Sequence, residues 1–173
     1  ICKLIDARVV HISTDCVFSG SKGCYSEDDL PDAQDLYGRS KLLGEVIQSN
    51  ALTLRTSIIG HELDSARSLV DWFLSQAGEV LGYTNAYFSG LPTCYLADVI
   101  GNCIEFYSTL SGMYHVSADP ISKFDLLNLV NSVYSKKLVI KPDDTLKIDR
   151  SLDSGKFNSL TGNVPPSWGT LVD

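Results

Sequence analysis

The chain alternates short apolar segments of β type with amphipathic segments of helical period, and this alternation constrains the fold more than any other feature. The first apolar segment, residues 8–14, is rich in β-branched residues and ends in small polar ones, as buried parallel strands do where they present ligands. Parallel strands need helical crossovers, so we predict an α/β fold. The pattern predicts further strands at 52–59, 113–116 and 138–140, and helices at 35–49, 66–76, 96–107 and 121–134.

The predicted helix at 35–49 places Tyr37 and Lys41 four residues apart, on one face. An ammonium beside a phenol favours the charged phenolate, which makes the phenol a usable proton donor near neutral pH. Thr14, at the end of the first strand, would add a hydroxyl for a carbonyl oxygen that gains negative charge. The spacing alone also fits an ordinary solvated helix face. We predict Asp35 as the N-cap of this helix, with an inner face of Leu36, Leu43, Val46 and Ile47.

Composition and charge exclude several classes of protein. The 173 residues are 44% hydrophobic and 20% charged, which is typical of globular proteins. A net charge of −7 argues against nucleic acid as a partner, because Lys and Arg dominate phosphate binding. No apolar run reaches the roughly 18 residues of a membrane helix, and no secretion signal is visible. We therefore expect a cytoplasmic protein without a membrane partner.

The cysteines and histidines do not indicate a metal site. The cysteines are odd in number and contain no C-x-x-C pair, so we expect reduced thiols in a cytosolic protein. The three histidines fall in unrelated segments. The residues concerned are Cys2, Cys16, Cys24, Cys94, Cys103, His11, His61 and His115.

Three segments in this order, HISTDCVFSG, DLYGRSKLLGE and LTLRTSIIG, resemble the extended short-chain dehydrogenase/reductase superfamily, and within it the dTDP-4-dehydrorhamnose reductase group. The later segments GMYHVSADPISKFDLL and DRSLDSGKF are similar to the C-terminal region of that group. The resemblance implies part of a Rossmann-like, doubly wound parallel sheet with a small α/β substrate-binding region. Residues 1–80 would belong to the nucleotide-binding domain and 81–173 mainly to the substrate-binding region, with a strand near 113–116 returning to the sheet.

The resemblance also implies a reaction and the roles of individual residues. The whole protein would use NADPH or NADH to reduce a nucleotide-activated 4-keto-6-deoxy-sugar, and it could form a homodimer as relatives often do. Tyr37 would be the catalytic acid, Lys41 would hold the nicotinamide ribose, and Thr14 would complete the catalytic set. The remaining positions would be cofactor contacts at Ser13 and Ser57, and substrate contacts at Asp15, Ile58 and Arg150.

The sequence departs from the family pattern in two ways. The glycine-rich strand-turn-helix that receives the pyrophosphate in this family is not found in these residues, so we expect them to be the C-terminal part of a longer reductase. As a separate fragment they should be inactive, with an unpaired edge on the first strand. Arg150 follows Asp149 directly and the proline usual in this motif is absent, so a surface helix N-terminus is the competing interpretation.

Two other functions remain open on the same fold. One is a non-catalytic regulatory or binding subunit. The other is a nucleotide-sugar epimerase or dehydratase, which would share Tyr37 and Lys41. Dehydratases of this kind carry an acidic pair beside the threonine, whereas this chain has Asp15 and Cys16, which favours simple reduction.

Overall fold

The computed structural model describes residues 2–63 and 68–173. The strands in chain order are β1 (Val9–Thr14), β2 (Ala51–Thr56), β3 (Ile58–Ile59), β4 (Glu79–Tyr83), β5 (Ala86–Phe88), β6 (Leu91–Pro92), β7 (Gly112–His115), β8 (Ile121–Ser122), β9 (Val139–Asp143) and β10 (Ile148–Asp149). The helices are α1 (Leu36–Leu43), α2 (Leu69–Ser75), α3 (Thr93–Glu105), α4 (Lys123–Val133), α5 (Gly155–Thr161) and α6 (Trp168–Val172), with short 3₁₀ helices at Cys2–Ile5 and Asp15–Val17.

The main sheet is parallel, in the strand order β1-β2-β7. Every residue of β2 is buried, as expected for a central strand covered on both faces. Strand β1 pairs only with β2 among the described residues, which agrees with the predicted unpaired edge. The α/β fold is confirmed, and β7 returns to the sheet close to the predicted 113–116. The division into two domains at residue 80 stays a prediction.

The two faces of this sheet differ in chemistry. Side chains alternate between faces along a strand, so Ile12, Leu54 and Tyr114 point into the main apolar core. On the opposite face, Ser13 lies beside Arg55 in the strand register, and Arg55 lies beside His115. A polar row therefore crosses all three strands one residue before β1 ends. It is covered by an apolar cluster of Val17, Phe18 and Tyr25 from the segment after β1, together with Leu152 from the segment after β10.

Residues from the second half of the chain pack against the loop that follows β1. Strand β10 pairs with β5, and the Asp149 N–H donates to the Gly20 carbonyl at 2.7 Å. Gly20 has φ +87°, and a Cβ there would lie 2.5 Å from Cγ1 of Ile148. Glycine is required because the backbone is left-handed and the neighbouring strand approaches closely.

Helix α1 is shorter than predicted, and its predicted inner face is wrong. It ends at Leu43 with Gly44 as C-cap, whereas we predicted residues 35–49. Leu36 and Leu43 are 84% and 88% exposed, and Ile47 is also exposed. Beyond Gly44 the chain turns to the sheet, where Thr53 Oγ1 donates to the Val46 carbonyl at 2.6 Å. The Asp35 cap is confirmed, because its Oδ1 accepts the Gly38 N–H at 2.8 Å.

The other elements lie near their predicted positions. The strand predicted at 52–59 is interrupted at Ser57 into β2 and β3. Helix α3 begins at Thr93, three residues before its predicted start, and α4 matches its prediction closely. The predicted start of the helix at 66–76 lies outside the described residues, which contain α2 from Leu69 onward. Within the described ranges, none of the helices has the length and apolar character needed to cross a membrane.

Candidate active site

Thr14 lies at the carboxyl end of β1, where parallel α/β sheets bind their ligands. Its Oγ1 accepts the backbone N–H of Cys16 at 3.1 Å and donates to Asp15 Oδ1 at 3.1 Å. Thr14 and Asp15 are each only 7% exposed. The strand end and the following 3₁₀ turn thus hold the threonine hydroxyl in one orientation.

Asp15 is a buried carboxyl with several polar neighbours. Burial raises its pKa above the ordinary value, and the hydrogen bond from Thr14 and the charge of Arg150 offset only part of that effect. The adjacent Cys16 thiol has its pKa raised by burial and by the Asp15 charge. Cys16 is therefore a neutral thiol at neutral pH, and Asp15 takes up a proton more readily than a surface aspartate.

Helix α1 brings Lys41 and Tyr37 to the same strand end. Lys41 Nζ donates to the carbonyl of Ile12 at 3.1 Å, two residues before Thr14. Gly38 packs directly on the loop, because a Cβ at this position would lie 2.1 Å from the Cys16 carbonyl oxygen. The Tyr37 side chain is 57% exposed. The phenol is therefore open to an incoming molecule, while the ammonium one turn later is anchored to β1.

Ser57 and Ile58 connect β2 to β3 and lie in different surroundings. The Ser57 side chain lies near Asp15 and slightly opposes the rise of its pKa, and the Ser57 carbonyl accepts the Leu91 N–H at 2.8 Å. The Ile58 side chain is more than half exposed. The structure brings Ser57 to Thr14 and Asp15, and leaves the Ile58 side chain facing solvent beside them.

Arg150 lies over the loop after β1. Its Nε donates to the Phe18 carbonyl at 2.9 Å, and its Nη1 is 3.6 Å from Cys16 Sγ. Its Nη2 lies 3.8 Å from Asp35 Oδ2, just before α1. The competing interpretation as a surface helix N-terminus is wrong, because α5 begins only at Gly155. Pairing of β10 with β5 carries Arg150 to this place.

Ser13 points away from Thr14, on the polar face of the sheet. Its Oγ donates to Glu45 Oε1 at 2.6 Å. Glu45 also accepts two hydrogen bonds from Arg55, at 2.7 Å from Nε and 2.8 Å from Nη2. The Arg55 and Glu45 side chains are 4% and 3% exposed, so this is a buried bidentate ion pair.

The ion pair continues to His115 on β7. Arg55 Nη1 lies 3.4 Å from His115 Nε2, and His115 Nδ1 lies 2.9 Å from the Tyr25 carbonyl. The pKa of His115 is lowered by burial, which outweighs the opposing charge of Glu27. The pKa of Glu45 is lowered although burial opposes it, because hydrogen bonds from Arg55 and Ser13 favour the carboxylate.

The sequence interpretation missed this network, although one signal for it was available. Alternation in LTLRT places Arg55 on the face opposite Leu54, and a buried arginine requires a carboxylate partner. Glu45 stands in the DLYGRSKLLGE segment, but a helix through residue 49 would have directed it elsewhere. Glu45 reaches Arg55 only because the chain turns at Gly44, and the sequence pattern did not predict this turn.

The described ranges contain no group of three or more His, Cys, Asp or Glu side chains arranged to hold a metal ion. All five cysteines are free thiols. The chemistry available at this strand end is that of a hydroxyl, a phenol, an ammonium and a buried carboxyl.

The parallel sheet, the threonine at its carboxyl edge and the helix that carries Tyr37 and Lys41 define the class of an extended short-chain dehydrogenase/reductase. Comparison with known families is more specific. Residues 1–163 match the family described as RmlD substrate binding domain. The chain belongs to this family, and the resemblance to dTDP-4-dehydrorhamnose reductases is confirmed.

Individual relatives are matched over only part of their own length. The chain is 37% identical over 122 residues to the spore coat polysaccharide biosynthesis protein SpsK of Bacillus subtilis (strain 168), which covers 65% of this chain and 41% of that protein. It is 26% identical over 144 residues to methionine adenosyltransferase 2 subunit beta of Xenopus tropicalis, covering 70% of this chain and 40% of that protein. The chain thus spans about two fifths of these relatives.

Solved structures share the fold. The crystal structure of a hypothetical dTDP-4-dehydrorhamnose reductase from Sulfolobus tokodaii superposes with a TM-score of 0.81 at 30% identity, covering 96% of this chain and 64% of that chain. Other solved structures of this fold were determined in complex with NADP or NAD. The reductase resemblance therefore extends over nearly all of the described residues.

Proposed function

We propose that the whole protein reduces the keto group of a nucleotide-activated 4-keto-6-deoxy-sugar with NADPH or NADH. The observation that carries this proposal is the meeting of two elements. Strand β1 presents Thr14 at its carboxyl end, and α1, which bears Tyr37, is anchored to that strand through Lys41 and the Ile12 carbonyl. Membership of the RmlD substrate binding domain family supports it.

The proposed roles follow from the chemistry of each group. Reduction leaves negative charge on the carbonyl oxygen, and the Thr14 hydroxyl would donate a hydrogen bond to it by turning its proton away from Asp15 Oδ1. The exposed Tyr37 phenol transfers its proton to this oxygen. The Lys41 ammonium then stabilises the phenolate that remains. Tyr37 is reprotonated from solvent, to which its side chain is open.

The residues present fit part of a nicotinamide cofactor. Such a cofactor supplies the hydride when bound. Lys41 and Ser57 offer an ammonium and a hydroxyl at the carboxyl edge of the sheet, which suit ribose hydroxyls. Ser13 would contribute through its backbone, because its hydroxyl already donates to Glu45.

The proposed substrate contacts are Asp15, Ile58 and Arg150. Arg150 Nε donates a hydrogen bond to the Phe18 carbonyl, and the rest of the guanidinium group remains partly exposed beside the strand end. A guanidinium in this position suits a diphosphate or a sugar hydroxyl. The Asp15 carboxylate can accept a hydrogen bond from a sugar hydroxyl, and burial raises its pKa.

Replacement of Tyr37 with Phe tests the proposal in the whole protein. It should lower kcat for a dTDP-4-keto-6-deoxy-sugar by about 100- to 10,000-fold, the usual contribution of a general acid, and leave the Kd for NADPH within a factor of about three. The matched control is Tyr87→Phe, since Tyr87 is an exposed tyrosine on β5. Parent turnover in Tyr37→Phe, by loss of NADPH absorbance, would contradict the mechanism.

A regulatory subunit is the second candidate, favoured by the match to methionine adenosyltransferase 2 subunit beta. Leu36 and Leu43 on α1 are exposed apolar residues that a partner protein could cover. In this case the whole protein would bind a methionine adenosyltransferase catalytic subunit, measured by calorimetry, and oxidise no NADPH with keto-sugars.

Sedimentation of the protein alone tests the separate proposal of a homodimer.

The nature of Cys16 favours reduction over the epimerase or dehydratase alternative. Burial and the charge of Asp15 raise the pKa of its thiol, so position 16 holds a protonated thiol and supplies no second carboxylate beside Asp15 to act as a base. NMR of the product distinguishes the reactions, because reduction alone adds a hydrogen at the carbonyl carbon with net consumption of NADPH.

A further inference from the structure

Helix α1 is held in place by very little apolar burial. Leu36 and Leu43 are exposed at its two ends, and Gly38 is its single fully buried residue. Its one apolar packing contact is that of the half-buried Leu42, which lies against the cluster of Val17, Phe18, Tyr25 and Leu152. Most helices of globular proteins are stabilised by packing of an apolar face. One partly buried leucine leaves most of the placement of α1, and with it that of Tyr37 and Lys41, to polar contacts.

The buried polar contact at the C-terminal end of α1 is made by Glu45. Two residues after the helix, its carboxylate receives two hydrogen bonds from Arg55 on β2 and one from Ser13 on β1. Ser13 directly precedes Thr14 in the chain. One carboxylate thus connects the end of α1 to the strand that carries the threonine and to the strand beside it.

Arg55 is itself fixed from the other side. The Tyr25 carbonyl can only accept, so His115 Nδ1 carries the proton, and the neutral ring offers Nε2 to Arg55 Nη1 at 3.4 Å. The guanidinium carbon also lies 5.2 Å from the centre of the Phe18 ring. A guanidinium with a defined orientation fixes the bidentate carboxylate in turn.

We propose that Glu45 is a positioning residue, which sets the distance and orientation of Tyr37 and Lys41 relative to Thr14 through its buried contacts with Arg55 and Ser13. It does not touch the reacting atoms. The kinetic part of this proposal rests on the proposed reductase function, whereas the placement of α1 is measurable without any substrate. A displacement of about 1 Å at a catalytic group lowers rates by up to about 100-fold.

The test compares Glu45→Gln with Glu79→Gln in the whole protein. Both variants remove a carboxylate charge from an ion pair at nearly constant size, but the pair of Glu79 with Lys141 is exposed and lies on β4 and β9. Hydrogen exchange followed by mass spectrometry reports on residues 36–43 and 51–56 separately. kcat and KM for the keto-sugar are measured at a temperature where thermal melting shows each variant to be folded.

In Glu45→Gln we expect exchange in residues 36–43 to rise about tenfold or more beyond any rise in 51–56, and kcat to fall about 10- to 100-fold with a smaller change in KM. Glu79→Gln should match the parent in each measurement. Parent exchange and kcat in Glu45→Gln would overturn the proposal. So would equal loss of protection in α1 and β2, because that result indicates a structural role only.

Ser13→Ala provides a milder variant if Glu45→Gln does not fold. It removes one hydrogen bond from Glu45 and keeps the ion pair with Arg55, so we expect the same local increase in exchange at residues 36–43, about threefold, on the scale of one lost hydrogen bond. Unchanged exchange there would overturn the proposal. If the parent reduces no keto-sugar, the reductase function fails, and the exchange measurements still decide the role of Glu45.

Discussion

Helices α1 and α4 are fixed in the molecule by different forces. Helix α4 buries Leu126, Leu127 and Val130 in the apolar cores. Helix α1 has only the half-buried Leu42 against an apolar cluster and is otherwise held by a lysine, a glycine contact and a buried carboxylate. Apolar burial is non-directional, but hydrogen bonds and ion pairs fix a geometry. The helix with the candidate catalytic residues thus has the more exact placement and the greater sensitivity to pH.

The largest effect is expected from the charge of Glu45. Because its folded pKa is lowered, its contribution to stability is complete above the unfolded value of about 4.3 and is lost as the pH falls through the folded pKa. Glu45→Gln should lower the free energy of unfolding by about 3–5 kcal/mol at pH 7, since Arg55 stays buried without its partner. The difference between parent and variant should shrink below about pH 4.

Urea unfolding at a series of pH values measures this difference. For an apolar substitution in the core under α4, we expect the loss in free energy of unfolding to stay constant over the same pH range. A Glu45→Gln cost that is equally constant down to about pH 3 would mean that the carboxylate charge does not anchor α1.

The second effect concerns apolar packing. Leu126→Ala should lower the free energy of unfolding by about 2–5 kcal/mol, because it leaves a cavity in the core under α4. The matched substitution on α1 is Leu43→Ala, and this should change the free energy by less than about 0.5 kcal/mol because Leu43 is exposed. Equal costs in urea unfolding would show that α1 is packed like α4.

The smallest effect is expected at the glycines. Gly38→Ala places a Cβ 2.1 Å from the Cys16 carbonyl oxygen and should destabilise the protein by about 1–3 kcal/mol. Gly101 lies in α3, and a Cβ added there would meet nothing outside its own helix within 4 Å. Gly101→Ala should therefore stabilise by up to about 1 kcal/mol through helix propensity. Thermal unfolding of the two variants shows whether each is destabilised or stabilised. A stabilising Gly38→Ala would mean that α1 does not pack closely on the loop after β1.

Sequence patterns predicted the local features of the fold and of the site. The β-branched run ending at Thr14 identified β1, and Asp35 identified the start of α1. The end of α1 was not predictable in this way, because Gly44 and the burial of Glu45 against Arg55 outweigh the helical period. The position of Arg150 depends on β10 pairing with β5, a contact between distant segments that local periodicity does not contain.

The contact of Arg150 with the Phe18 carbonyl joins residues 132 positions apart, and Cys24 N–H reaches Ser151 Oγ across 127. Contacts of such sequence separation form late in folding, because their loop closure costs the most entropy. During synthesis, the loop after β1 leaves the ribosome long before the segment that covers it. A chain interrupted before Arg150 would carry Thr14, Tyr37 and Lys41 and still lack the contacts of Arg150 with the Phe18 carbonyl and Cys16 Sγ. The site is therefore completed only when this later segment has been synthesised.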